Sequence, residues 1–161
     1  RRSPVARGAA EPALLAFTEL QCTWVPGVVH LGPPTIGAAQ RRFLADLLSA
    51  IAAEAARPQQ LALRPESLPA DLSPDDRIAA LLGFVSKRVA AASAQRVLLA
   101  GELAPELGTW LQAQPALAPV AKLSLPPLEG LMNDGASKRA LWQALLALTP
   151  AAAATPGGDT P

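Results

Sequence analysis

The chain has little with which to carry out acid–base, redox or metal chemistry: one histidine, His30, one cysteine, Cys22, and no tyrosine in 161 residues. A single cysteine excludes an internal disulfide and any thiol cluster for zinc or iron–sulfur, and one histidine offers no imidazole pair, so no cofactor is expected. Cys22 sits in the apolar run 20–25, the setting of a buried structural thiol rather than a nucleophile. Charge is scarce as well. Charged residues make up 17%, against about 25% in ordinary soluble proteins. The balance of 14 basic to 13 acidic residues leaves +1, without the basic field that tight phosphate binding needs. No stretch approaches the roughly 20 uninterrupted apolar residues of a membrane span. The chain opens on Arg1 without a methionine or an apolar signal-peptide core, and is expected to be a cytoplasmic protein whose extreme N-terminus is missing or trimmed.

What is abundant is small and aliphatic. Half the residues are hydrophobic but only 4% aromatic, so leucine, valine and alanine must build the core. The length suits one domain able to bury roughly two thirds of its unfolded surface. With so few charges, part of that surface is expected to lie under a protein partner.

Residues 1–12 read as an irregular lead-in, 13–148 as a single α/β domain and 149–161 as a disordered tail with no apolar content beyond alanine. Within the domain, residues 16–25 alternate as a first strand ended by Pro26-Gly27. Residues 28–34 read as a loop, because Gly32-Pro33-Pro34 resists regular structure. Over 38–56, Phe43, Leu44, Leu47, Leu48 and Ile51 recur on one helical face. Gln59–Leu63 is a second strand between two prolines. Ser73-Pro74-Asp75-Asp76 is a helix start, with a capping serine, a proline at the first helical position and carboxylates at the positive end of the dipole. The helix should reach about residue 92. Residues 96–100 form an apolar strand covered on both faces, 103–112 a short helix, 120–125 a fourth strand and 137–148 a last helix. This alternation predicts a three-layer α/β sandwich with a mainly parallel sheet of about four strands.

Candidate chemistry is thin. His30 follows two valines in the expected loop and has no ligand or acid–base companion nearby in sequence. Asp75-Asp76 has a complete explanation in helix capping. Gly101-Glu102 follows a parallel strand at the end where open α/β sheets bind ligands, but one glutamate defines no reaction. Lys87-Arg88 and Lys138-Arg139 read as solvated helix faces. Of the tryptophans, Trp142 adjoins inward leucines and is expected in the core. Trp110, among turn formers, is expected to meet a partner.

Residues 122–148, KLSLPPLEGLMNDGASKRALWQALLAL, resemble the closing element of the uracil-DNA glycosylase superfamily: a strand, a His-Pro pair, a leucine turn, then basic residues and tryptophan on a final helix. Here the His-Pro position reads Leu125-Pro126, while Leu128, Leu131, Lys138, Arg139 and Trp142 keep the frame. Thr23-Trp24-Val25-Pro26-Gly27 resembles that superfamily's Gly-Glu-x-Pro-Gly loop, which positions the attacking water, with Trp24 in place of the carboxylate. Residues 37–51 look like the helix that follows this loop. The resemblance implies a uracil-DNA glycosylase-like fold without catalysis, since neither an indole nor leucine can orient or deprotonate a water.

Arg1-Arg2-Ser3-Pro4 and Ala140-Leu141-Trp142-Gln143 are further similar to the psi-subunit family of the bacterial DNA polymerase III clamp-loader assembly. That resemblance covers residues 1 to about 148 through short motifs. It implies an adaptor that binds a chi-like subunit through its folded body and clamp-loader subunits through its N-terminal peptide, linking them indirectly to single-stranded DNA-binding protein. The partner-contacting candidates are Arg1, Arg2, Trp110, Lys138 and Arg139. The alternative is a divergent glycosylase-superfamily enzyme or DNA-repair protein.

Overall fold

Leu20–Val25 forms β1, and the two-residue turn Pro26-Gly27 reverses the chain directly into β2 (Val28–Gly32). Gly27 has φ +90, a left-handed conformation that suits glycine after proline in such a turn. The expected loop over 28–34 is therefore wrong. All five residues of β2 are buried, and the Gly-Pro-Pro run ends this strand rather than preventing it. The structure, a computed structural model, describes residues 19–148. The lead-in 1–12 and the tail 149–161, with Arg1 and Arg2, lie outside the described residues.

After β2 come α1 (Ala38–Ile51), β3 (Gln59–Leu63), α2 (Pro74–Ala91), β4 (Arg96–Leu99), α3 (Pro105–Ala113), β5 (Ala121–Ser124), α4 (Leu128–Met132) and α5 (Gly135–Ala147). The sheet order is β3-β1-β2-β4-β5. β1 pairs antiparallel with both β2 and β3, while β2–β4 and β4–β5 are parallel. The sheet is thus mixed and five-stranded, not mainly parallel and four-stranded. The reason is local: a strand pair joined by two residues can only be antiparallel.

Side chains alternate across the sheet and feed two apolar clusters. Cys22, Val29, Leu31, Val97 and Leu99 pack under α2 and α3 with Ile78, Leu82, Val85, Leu107 and Leu111. Val25, Val28 and Leu98 pack on the other face with Leu44 and Leu48 of α1, Leu128 and Leu131 of α4, and Leu141 and Leu145 of α5. Two helices, α2 and α5, start at a side-chain cap. Ser73 Oγ accepts from Asp76 N at 3.1 Å ahead of Pro74. Asp134, three residues before the start expected at 137, takes the N–H groups of Ala136 and Ser137 at 3.3 Å. The Ser137 hydroxyl, donating to the same carboxylate, holds its pKa below the ordinary value.

Candidate functional site

β2 leads into α1 on one face of the sheet, and its parallel neighbour β4 leads into α3 on the other. Adjacent strands whose connections depart to opposite faces leave a crevice at their carboxyl ends, the usual ligand site of an open α/β sheet. Gly32, which ends β2, Pro33 after it, Ala100 and Glu102 after β4, and Leu128 of α4 line it, with His30 at its floor. The strand ends are tied across it, since Ala100 N donates to Leu31 O at 2.9 Å and Leu125 N to Leu99 O at 2.8 Å.

The crevice is filled. A Cβ on Gly101 would lie 2.5 Å from Pro127 N and 2.6 Å from Leu125 O, so the backbone of 125–127 rests directly on the glycine. Glu102 Oε2 accepts the Leu128 N–H at 2.8 Å, and its carboxylate is used at the start of α4. The space left is about 10 Å³, room for about one water where small-molecule sites typically offer about 300–1,000 Å³.

His30 is neither solvated nor in a loop. It lies in β2 beside Thr23 of β1 and Leu98 of β4, is 4% exposed, and its Nε2 is buried without a hydrogen-bond partner. Burial pushes its pKa down to about 4, so the ring is neutral at physiological pH. Among the described residues no group of three or more His, Cys, Asp or Glu side chains is placed to hold a metal ion. Cys22 is buried, and desolvation, opposed in part by Arg88, raises its thiol to about 12. That makes it a poor nucleophile at neutral pH.

Trp24 and Leu125, which the glycosylase resemblance assigns to one site, stand at opposite ends of the sheet. Trp24 pairs with Val29 next to the hairpin turn, whereas Leu125 follows Ser124, the partner of Leu99 at the far end. Roughly 10 Å of strand separates the two rows at about 3.3 Å per residue. Trp24 instead carries the Arg88 guanidinium over its ring, 5.3 Å from the centroid, so Arg88 is packed and half-buried rather than fully solvated. Lys87 is exposed as expected.

The tryptophan expectations are reversed. Trp110 is 4% exposed, because Leu103, Leu107 and Leu111 flank it at helical spacing and draw its face into the core. Trp142 is 39% exposed. Leu141 and Leu145 take the inward stripe of α5, which turns the next residue outward. Trp142 and the 80%-exposed Leu146 share one helical side at i, i+4. Beside them a depression of about 150 Å³ is lined by Phe43, Asp46, Leu47, Lys138, Leu141 and Trp142. Lys138 Nζ sits 5.8 Å from the Phe43 ring centroid, and Arg139 is exposed one position on. Sequence reasoning named Lys138 and Arg139 of this α1–α5 surface but missed Trp142, Leu146 and Phe43 beside them. The unpaired leucine at 146, one step past the inward Leu145, was its available signal.

No protein-family model, no curated protein and no solved structure matches the chain.

Proposed function

We propose that the chain is a non-catalytic adaptor of the bacterial DNA-replication clamp-loader assembly, built on a uracil-DNA glycosylase-like sandwich. It binds a chi-like subunit through its folded body and clamp-loader subunits through its N-terminal peptide, works in the cytoplasm, and reaches single-stranded DNA-binding protein only indirectly. The observation that carries this reading is the filled crevice: where an α/β sheet of this connectivity would hold a ligand, Gly101, Glu102 and Leu125-Pro126-Pro127 leave about 10 Å³. The run at the carboxyl end of the first parallel strand is Gly32-Pro33-Pro34. This run carries no carboxylate, and the resemblance puts Trp24 and Leu125 where the glycosylases hold their water-positioning carboxylate and their histidine. An indole and a leucine together supply no group able to activate water.

The α5 surface supplies the means of association. Trp142 and Leu146, flanked by Lys138 and Arg139, have the composition of a contact centre, an aromatic anchor with a basic rim. No helix among the described residues is long and apolar enough to cross a membrane. The test is light scattering of the full chain alone and with a chi-like subunit. The expected result is self-association alone and a one-to-one complex when mixed, with Trp142→Glu plus Leu146→Glu abolishing both. A wild-type chain that stays monomeric at high concentration and ignores the subunit removes the adaptor reading.

A further inference from the structure

One edge of the sheet and the arginines beside it form a second surface, distinct from α5. β3 ends the sheet, with β1 its only strand neighbour among the described residues. Such an edge presents unpaired N–H and C=O groups to another strand, and proteins commonly blunt it with proline, lysine or a bulge. β3 reads Gln59-Gln60-Leu61-Ala62-Leu63, with neither proline nor charge inside it, and its first three residues are exposed. The opposite edge differs. β5 carries Lys122 in mid-strand, its ammonium donating to the carbonyls of Leu117 and Val120 at 2.6 and 2.9 Å.

The two faces of β3 are chemically unlike. Its register with β1 sets Gln60 opposite Thr23 and Ala62 opposite Gln21, on the α1 side, and Leu61 opposite Cys22, on the α2 side. On the α1 side a groove of about 430 Å³ is lined by Arg41, Arg42, Arg57, Thr23 and Gln60, and none of its lining residues is acidic. On the α2 side Leu61 is 46% exposed. A strand added to β3 would continue this pattern, since alternate side chains point to opposite faces.

We propose that the β3 edge takes an extended acidic segment of a partner protein as a sixth strand, with carboxylates toward Arg41, Arg42 and Arg57 and apolar side chains over Leu61. Main-chain pairing supplies affinity in such additions, and the alternate side chains supply selectivity. Arginine suits carboxylates because its planar fork pairs with both oxygens. A peptide fits better than nucleic acid, because a nucleic acid has no backbone to complete a strand ladder and the chain's net charge is only +1. The proposal rests on the adaptor reading in that it requires a protein partner.

The probe is a fluorescein-labelled octapeptide alternating valine and glutamate, titrated against the full chain by anisotropy, with amide exchange followed at Gln59–Leu63. The expected result is binding that is absent for the valine–lysine counterpart, weakened on the order of tenfold or more by Arg42→Glu plus Arg57→Glu, and accompanied by slower exchange in β3. Both replaced arginines are exposed, whereas Arg41, left in place, also donates to Ile36 O at 3.1 Å. Equal binding of the two peptides, unchanged exchange in β3, or tighter binding of a thymidine oligonucleotide than of the glutamate peptide overturns the proposal. If those results appear while a chi-like subunit still forms its one-to-one complex, the edge site fails and the adaptor reading stands. Peptide binding without that complex separates the two the other way.

Discussion

At His30 chemistry and position pull against each other. In sequence it looks like a lone polar group ahead of Gly32-Pro33-Pro34, yet it is buried in the central β2 with no partner for Nε2. Its folded pKa, about 4, lies below the ordinary 6.5. Between those values the unfolded chain therefore binds the proton more tightly than the folded one. Stability is untouched by this group above pH 6.5 and falls as the pH drops through the interval toward 4. At about 1.36 kcal/mol per unit, the loss by pH 5 is about 2 kcal/mol. Urea unfolding at pH 7.5 and pH 5 measures it. His30→Leu, which has nothing to protonate, is expected to lose about 2 kcal/mol less than the wild type across that range, and equal losses would place the acid sensitivity elsewhere.

At the scale of elements, α2 shows how far local chemistry reaches. Ser73, Pro74 and the leucine spacing fix its start and its inward face. Its end is a Schellman motif: Ser93 N donates to Ala90 O at 3.1 Å and Ala94 N to Val89 O at 3.0 Å, with Ser93 at φ 48. That left-handed position favours glycine over a residue with a Cβ by roughly 1 kcal/mol. Ser93→Gly is accordingly expected to raise the melting temperature by a few degrees in a calorimetric scan, and a lowered midpoint would contradict the geometry. The same contrast between local and non-local information runs through the whole chain. The four longer helices and the strands at 59–63, 96–100 and 120–125 were legible because spacing and caps are local, whereas α4 read only as a leucine turn. β2 was not, because a strand buried by neighbours on both sides is defined by those neighbours. One histidine and a terminal Gly-Pro-Pro were enough to make it read as loop. Trp110 and Trp142 exchanged roles for a related reason: whether a helix residue is covered depends on which stripe faces the sheet, and one position turns a side chain by about a quarter of a circle.

The composition of the whole molecule pointed toward an apolar surface, and the structure redistributes that expectation. Among the described residues only Leu61, Trp142 and Leu146 are large hydrophobics left exposed. Most of the buried aliphatic side chains are in the two clusters that sandwich the sheet. The surplus is therefore confined to two places, α5 and the β3 edge, and is absent from the carboxyl-end crevice, where sheet connectivity would put a substrate. The candidate site was legible only in part. Glu102 and Leu125 were correctly seen to lie near the ends of parallel strands, but that they close on one another depends on Gly101 admitting the backbone of 125–127, a contact no spacing reveals. This closure bears directly on catalysis. A nucleobase needs far more than the about 10 Å³ available, and general-base and electrostatic assistance, each worth about a hundredfold or more in rate, have no residue at Trp24 or Leu125 to supply them. Uracil-containing single- and double-stranded DNA incubated with excess protein is thus expected to release base only at the background rate, measured by chromatography of the free base. Release that vanishes in Glu102→Ala or His30→Ala would mean that the crevice opens in solution and that the chain is an enzyme.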